Sequence, residues 1–422
     1  MKEKLAIIGS GVSGLGTAYF LKENFDITIF EAGGYVGGHT NTVDVDEDGT
    51  MIPIDTGFIV FNHVTYPNLL RFFNKESIPT KKSDMSFSVQ HDPTKLEFCG
   101  SGLNGLFAQR KNLFSPKYIK MLLEINRFNT NAPAILEDPK FDEWDLGRYM
   151  KEFGYGNDIL QNYLIPMSSA VWSTPHDQML AFPAKTLVRF FYNHGFLGLN
   201  TQHQWYTVDG GARNYVRKIL NFMEGRVRLN CPVKQVNRLE GKVQVILADG
   251  KSEIFDKVVM ATHGHTSAKL LGNPTALEKE LLPIFKYQNN TATLHTDPSD
   301  MPKTRRSWSS WNYKMVNKPN GDFAPFTIYW MNRLQNVSKK KNYFVTINDP
   351  GRVKEECIIK QIDYEHPLFS VETASAQKRL PQLNETGPIY YVGAYFRYGF
   401  HEDGFLSAVN LSESILKRDP WK

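Results

Sequence analysis

The chain opens on a tight alternation of apolar and polar blocks. Lys4-Leu-Ala-Ile-Ile8 reads as a short buried strand and Gly9-Ser-Gly11-Val-Ser-Gly14 as a turn entering a helix. Ile27-Thr-Ile-Phe30 then reads as a second strand, ending at Glu31. A further apolar stretch covers residues 52–61. Between 105 and 200 the spacing turns helical and aromatic, as in Tyr118-Ile-Lys-Met-Leu-Leu-Glu-Ile125. Strand character returns at 226–230, 233–239, 243–247 and 257–261, which predicts two short strand pairs feeding a buried strand. Residues 284–380 alternate short strands with loops containing Pro and Asn. A last buried strand at 389–392 precedes a helix over 405–416.

At 422 residues the chain is too long for one compact core. The pattern predicts an α/β protein whose discontinuous nucleotide-binding domain comprises residues 1–75, 205–270 and 381–422. Residues 76–204 and 271–380 then form an inserted α+β substrate-binding domain.

The first block carries chemistry. Gly9 permits the tight turn, Gly11 lets the backbone approach a pyrophosphate, and Gly14 lets the helix pack close to the strand. The helix N-terminus offers N–H groups and positive dipole to phosphates. Glu31, 20 residues beyond Gly11, can hold both ribose hydroxyls and would repel a 2′-phosphate, which disfavours NADP. Gly100-Ser-Gly102-Leu-Asn-Gly105 repeats the glycine spacing. It follows no buried apolar strand, so it reads as a loop.

Composition narrows the class. A net charge of +5 is small for this length, and the basic runs 303–306 and 339–341 read as solvated faces rather than nucleic-acid sites, though they also suit an anionic membrane surface. Three widely spaced cysteines argue against a disulfide framework. The apolar start is too short for a signal peptide and no apolar run approaches the roughly 18 residues of a membrane span. A cytoplasmic protein with peripheral membrane contact at most is expected.

A second glycine loop, Gly33-Gly-Tyr-Val-Gly37-Gly38-His39-Thr40, follows Glu31 directly. It can wrap the far side of a pyrophosphate. The segment Asp403-Gly404-Phe405-Leu406 offers another helix N-terminus, suited to the charge of a reduced isoalloxazine. Two such ends on one long ligand favour FAD over NAD.

These segments, with residues 258–262 and 391–408, resemble the flavin-containing amine oxidase superfamily, which includes phytoene desaturase-like and protoporphyrinogen oxidase-like enzymes. Asp55-Thr-Gly-Phe58-Ile59-Val60, Leu164-Ile-Pro166-Met167, Ala261-Thr262-His263 and Gly399-Phe-His-Glu-Asp-Gly404 are similar to a bacterial branch of FAD/NAD-binding oxidoreductases associated with cyclopropane or branched fatty-acid modification. The resemblance implies an FAD-binding Rossmann-like domain of the glutathione reductase/amine oxidase type and noncovalent FAD, since no cysteine shortly precedes the C-terminal segment.

By the same resemblance, Gly9, Gly11, Val12, Ser13 and Gly14 contact the pyrophosphate and Glu31 with Ala32 the adenosine ribose. Gly38, His39 and Thr40 reach phosphate and ribityl, with His39 standing where the family has arginine. Gly57, Phe58 and Ile59 flank the ring, and Val233 reads the adenine edge. Ala261, Thr262, Gly393, Asp403, Gly404 and Leu406 complete the cradle.

Catalytic candidates are fewer. Lys269, eight residues after Ala261, matches the spacing of a lysine that some amine oxidases place near flavin N5. His401 and Glu402 are placed over the flavin edge, and Asp403 alternatively as a helix cap. His263-x-His265 has no acid or cysteine nearby in sequence, so no metal is expected. Tyr163, Met167, Trp172, Trp308, Trp311 and Tyr313 are candidates to line an apolar pocket. The leading expectation is an FAD-dependent oxidase, dehydrogenase or desaturase acting on a hydrophobic, fatty-acyl or other lipid substrate. An amine oxidase proper, a non-redox flavin mutase and a flavin-binding accessory protein are the alternatives.

Overall fold

The structure is a computed structural model that describes residues 1–198, 201–317 and 323–422. The opening run forms β1 (Glu3–Ile8), the glycine turn leads into α1 (Val12–Leu21), and the next run forms β2 (Phe25–Phe30). Further along come α2 (Pro67–Lys75), β3 (Val227–Arg228), β4 (Lys257–Met260), β5 (Ile389–Tyr391) and the closing helix α3 (His401–Leu416).

The five strands make one wholly parallel sheet in the order β3-β2-β1-β4-β5. Its central strands are continuous apolar runs because both faces are covered. Leu5, Ala6 and Ile7 of β1 are fully buried, as are Val258, Val259 and Met260 of β4. Register sets where a ligand can sit. Ile8 pairs with Phe30 on one side and Met260 on the other, and Met260 pairs with Tyr391. The residues that follow, beginning with Gly9, Glu31, Ala261 and Val392, therefore emerge side by side at the carboxyl edge, where open parallel sheets bind ligands.

α1 is buried from Ser13 to Leu21, with the sheet on one side and α3 on the other. Two glycines make this approach possible. A Cβ on Gly14 would stand 2.1 Å from the carbonyl oxygen of Gly9, and one on Gly404 would stand 2.8 Å from Ser13 Oγ and Val12 Cγ1.

A seven-stranded mixed sheet faces this unit. In spatial order its strands are Ile358–Pro367, Tyr287–His295, Phe344–Ile347, Phe323–Trp330, Trp311–Asn317, Phe87–His91 and Leu96–Cys99. Only the pair Trp311–Asn317 with Phe87–His91 is parallel. Helices of the 102–193 stretch flank it; Tyr118 and Met121 of the helix Pro116–Asn131 share a core with Val89 and Phe98. Asp55 ties distant segments together. Its buried carboxylate accepts from the Ala212 N–H at 2.9 Å and from Gln335 Nε2 at 2.6 Å, and its own N–H donates to Gln335 Oε1.

Three sequence readings are corrected. The Gly100–Gly105 segment is not a loop: it follows the edge strand Leu96–Cys99 and forms the short helix Gly102–Leu106. An antiparallel edge strand needs no apolar run, so the sequence hid it. The two strand pairs are instead one three-stranded antiparallel sheet, Val233–Leu239, Lys242–Leu247 and Ser252–Phe255, while Val227–Arg228 joins the parallel sheet. The closing helix begins at His401 rather than 405, because Phe400 is already its extended N-cap.

Gly404→Val is expected to force α1 and α3 apart and destabilise the protein by about 1–3 kcal/mol. A denaturant midpoint equal to wild type would show that the two helices do not depend on this contact.

Candidate functional site

α1 starts after Gly11 with no side chain capping it, so its N-terminal N–H groups present partial positive charge at the sheet edge. The space beside Gly11 is open: nothing lies within 4 Å of where its Cβ would be. The second glycine loop folds over this turn. Gly37 N–H donates to the Ser10 carbonyl at 3.1 Å, and a Cβ on Gly38 would come within 3.2 Å of Gly11 Cα. Glu31 is held at the strand end by the Ser10 N–H at 2.9 Å, Ser10 Oγ at 2.6 Å and the Gly33 N–H at 2.8 Å. Oε2 already accepts twice, so Oε1 keeps the lone-pair capacity for a ligand hydroxyl.

One cavity of about 630 Å³ joins this edge to the seven-stranded sheet. Gly9, Gly11, Val12, Ser13, Glu31, Ala32, Gly38 and His39 line it, as do Gly57, Phe58, Ile59, Ala261, Thr262, Gly393 and His401. Trp172, Phe190, Phe196, Trp205, Trp311 and Tyr329 form its aromatic side. No lysine or arginine is among the described lining residues.

Histidines take the place of permanent cations. His39 stacks on Tyr364, with centroids 4.9 Å apart, and its Nε2 is buried without a hydrogen-bond partner. Burial, then the neighbouring His366, His263 and His401, hold its pKa well below the usual value. Burial takes His366 down to about 4 and His401 down to about 3. His401 stacks on Phe58 at 3.9 Å, and its Nε2 lies 2.9 Å from Thr40 Oγ1, which also meets Tyr215 Oη. The pair His263 and His265 does meet an acid. Glu365, from the end of a distant strand, places Oε2 2.8 Å from His263 Nδ1 and 3.9 Å from His265 Nε2. The hydrogen bond from His263 keeps the Glu365 carboxyl below its usual range.

Residues 12–297 match the family model of flavin-containing amine oxidoreductases. The chain belongs to that family. Coproporphyrinogen III oxidase of Staphylococcus aureus is 22% identical over 336 residues, covering 72% of this chain and 70% of that one. The fold is similar to a fatty acid isomerase from P. acnes, with TM-score 0.67, 14% identity and 98% of both chains covered. It is also similar to cyclohexylamine oxidase from Brevibacterium oxydans, with TM-score 0.68, 13% identity, and 99% of this chain and all of that one covered.

As a family member this flavin oxidoreductase takes FAD, and the residues present fit it. The open space at Gly11, the anchored Glu31 and the unpartnered His39 nitrogen are what a dinucleotide can use. None of Cys99, Cys231 and Cys357 lines the cavity, in keeping with noncovalent binding.

Other expected site residues lie elsewhere. Gly14, Thr40, Asp403, Gly404 and Leu406 stand behind the wall rather than on it, and Val233 sits in the small antiparallel sheet. Lys269 is exposed on the helix Gly264–Leu270, outside the lining, and reaches Glu365 and His265 only through its field. Glu402 does not face the cavity. Its carboxylate is buried and accepts from the Asn68 and Leu69 N–H groups at 3.1 and 3.0 Å, capping α2. One position along a helix turns a side chain about 100° away, so only His401 of this pair reaches the lining. Asp403 is not the N-cap but the third helical residue, and it accepts from the Phe400 N–H at 2.9 Å. Of the aromatic candidates, Trp172 and Trp311 line the cavity, while Tyr163, Met167, Trp308 and Tyr313 do not.

The sequence reading missed Tyr364, Glu365, His366, Phe190, Phe196 and Trp205. The only local signal was a polar–aromatic cluster, Tyr364-Glu-His366, ending a strand.

Burial pushes the Asp403 pKa up to about 7. An acid protonated in the fold but ionised when unfolded adds stability at low pH that is lost as pH rises, here between about 4 and about 7. Asp403→Asn should flatten that part of the stability–pH curve, read by denaturation across the window.

Proposed function

We propose that this flavin oxidoreductase removes hydride from an uncharged, hydrophobic substrate, an esterified acyl chain being the best fit. The observation that carries the reading is the continuity of one cavity, with a dinucleotide edge at one side and aromatic, cation-free walls at the other. Glu31 would hold the adenosine ribose, the α1 N-terminus and His39 the pyrophosphate, and Gly57 to Ile59 with Gly393 the ring. When bound, FAD supplies a two-electron acceptor at N5. The protein's part is to bind, orient and exclude water. Neutral His401 stacked on Phe58 makes a rigid wall, and Trp172, whose Nε1 donates to the Tyr398 carbonyl at 3.2 Å, is fixed beside it. Hydride removal in such a setting needs no side-chain base.

The alternatives fit less well. A diphosphate-sugar mutase, or an oxidase of a polycarboxylate tetrapyrrole, needs cations that the described lining lacks. An ammonium substrate needs an open aromatic cage. Here Trp172, Phe190 and Phe400 contact one another, at 4.7 Å and 4.8 Å between successive centroids, and form a wall.

Purified protein is expected to be yellow and to bleach anaerobically with acyl esters but not with amines; the reverse selectivity would sink the substrate reading. Glu31→Ala should lose most bound flavin, whereas Lys269→Met should keep both flavin content and reoxidation rate. The pyrophosphate opposes the burial and the His263, His366 and His401 neighbours that hold His39 neutral, while Glu365 and Tyr364 face it from the strand end. FAD binding should therefore take up a proton, and retention should weaken as pH rises. Flavin release measured on both sides of the ordinary histidine pKa of about 6.5 checks this, and His39→Arg should remove the dependence.

A further inference from the structure

A surface remote from the cavity lining carries a second property. Between Gly102 and Leu123 the chain folds into the helix Gly102–Leu106, a 3-10 turn at Arg110–Phe114, and the first turns of Pro116–Asn131. The Tyr118 hydroxyl, donating to the Leu106 carbonyl at 2.5 Å, ties the pieces together. Tyr118, Met121 and Leu106 point inward to a core. Four large apolar side chains do the opposite: Phe114 is 88% exposed, Leu103 69%, Leu123 66% and Leu113 48%. Single exposed leucines are ordinary, but four within 21 residues of one tied segment are not.

Charge on this segment has one sign. From Phe98 to Leu123 there is no acid, while Arg110, Lys111, Lys117 and Lys120 are all exposed. The basic run at 303–306 joins them, because the turn Arg305–Ser307 packs against the helix Gly102–Leu106. Among the described residues Lys117 pairs with Asp158, but Arg110, Lys111, Lys120, Lys303, Arg305 and Arg306 make no ion pair. The two flanking acids are both occupied: Glu97 accepts from the Lys303 and Thr304 N–H groups at 3.0 and 2.8 Å, and Glu124 from the Gly156 N–H at 3.3 Å.

We infer that this ledge is a docking surface for an anionic phospholipid membrane, with Phe114 and its neighbouring leucines entering the interface and the unpaired cations meeting headgroups. Apolar side chains ringed by one sign of charge are the composition of interfacial binders. Each cation near an anionic surface strengthens binding roughly fivefold. A nucleic-acid site would use the cations but gain nothing from exposed aliphatic side chains. The inference does not depend on which substrate is oxidised.

The test is co-sedimentation of the full-length FAD-loaded protein with vesicles, using flavin absorbance as tracer. Vesicles of phosphatidylcholine with phosphatidylglycerol should carry the protein down at low salt, and phosphatidylcholine alone should not. Phe114→Asp should weaken binding at least about tenfold. Arg110→Glu with Lys111→Glu should do so by more than about twentyfold. Both changes lie on exposed side chains, so unchanged flavin content and melting temperature will certify the fold. Equal sedimentation of Phe114→Asp and wild type, no preference for anionic vesicles, or tighter binding to duplex DNA than to vesicles would each overturn the inference.

Discussion

Everything at the site depends on the close contact of α1 with α3. The glycine turn alone offers one helix end and one strand end. Only when the last helix lies against the first do Gly393 and His401 join a cavity begun by Gly9 and Glu31, almost the whole chain away. Gly16 and Gly404 allow that contact: a Cβ on Gly16 would stand 3.1 Å from Ala408 Cβ and Phe405 Cδ2, and one on Gly404 would overlap Ser13 and Val12. The same contact buries α1 on all sides, so its helical period shows no polar face.

Electrostatics at the cavity follow from what the fold withholds. Its described lining has carboxylates and histidines but no permanent cation, so charge on a bound pyrophosphate must be met by helix dipole and by rings whose protonation depends on what binds. Buried acids obey the same logic. Asp55 and Asp403 are raised to about 6 and about 7 by burial; Asp55 spends its oxygens on backbone and amide donors from distant segments, and Asp403 accepts from the Phe400 N–H at the start of its own helix. They are structural although their shifts resemble those of catalytic groups.

The division of surfaces is also physical. Aromatic side chains turned inward wall the cavity, while Phe114 and the leucines near it are turned outward among cations without ion pairs. Among the described residues no helix is long and apolar enough to cross a membrane.

What the sequence by itself determined was the local grammar: β1, the turn, α1 and β2 with its terminal acid, the buried strands β4 and β5, and the short strands at 327–330 and 343–347. Each is encoded within a few residues by period and glycine spacing, and Gly9, Gly11, Glu31, Ala261 and Gly393, which end such segments, line one cavity. Residues that gain their roles from partners far along the chain were not legible. Glu365 beside His263, Glu402 on the α2 N-terminus, and Phe190 and Trp205 on the cavity wall carry no periodic signal. Lys269 shows the converse, since correct spacing in sequence left it exposed when one turn of helix carried it away from the lining. Side-chain direction at the end of an element is settled by tertiary packing, and that is where the chemistry of this site was decided.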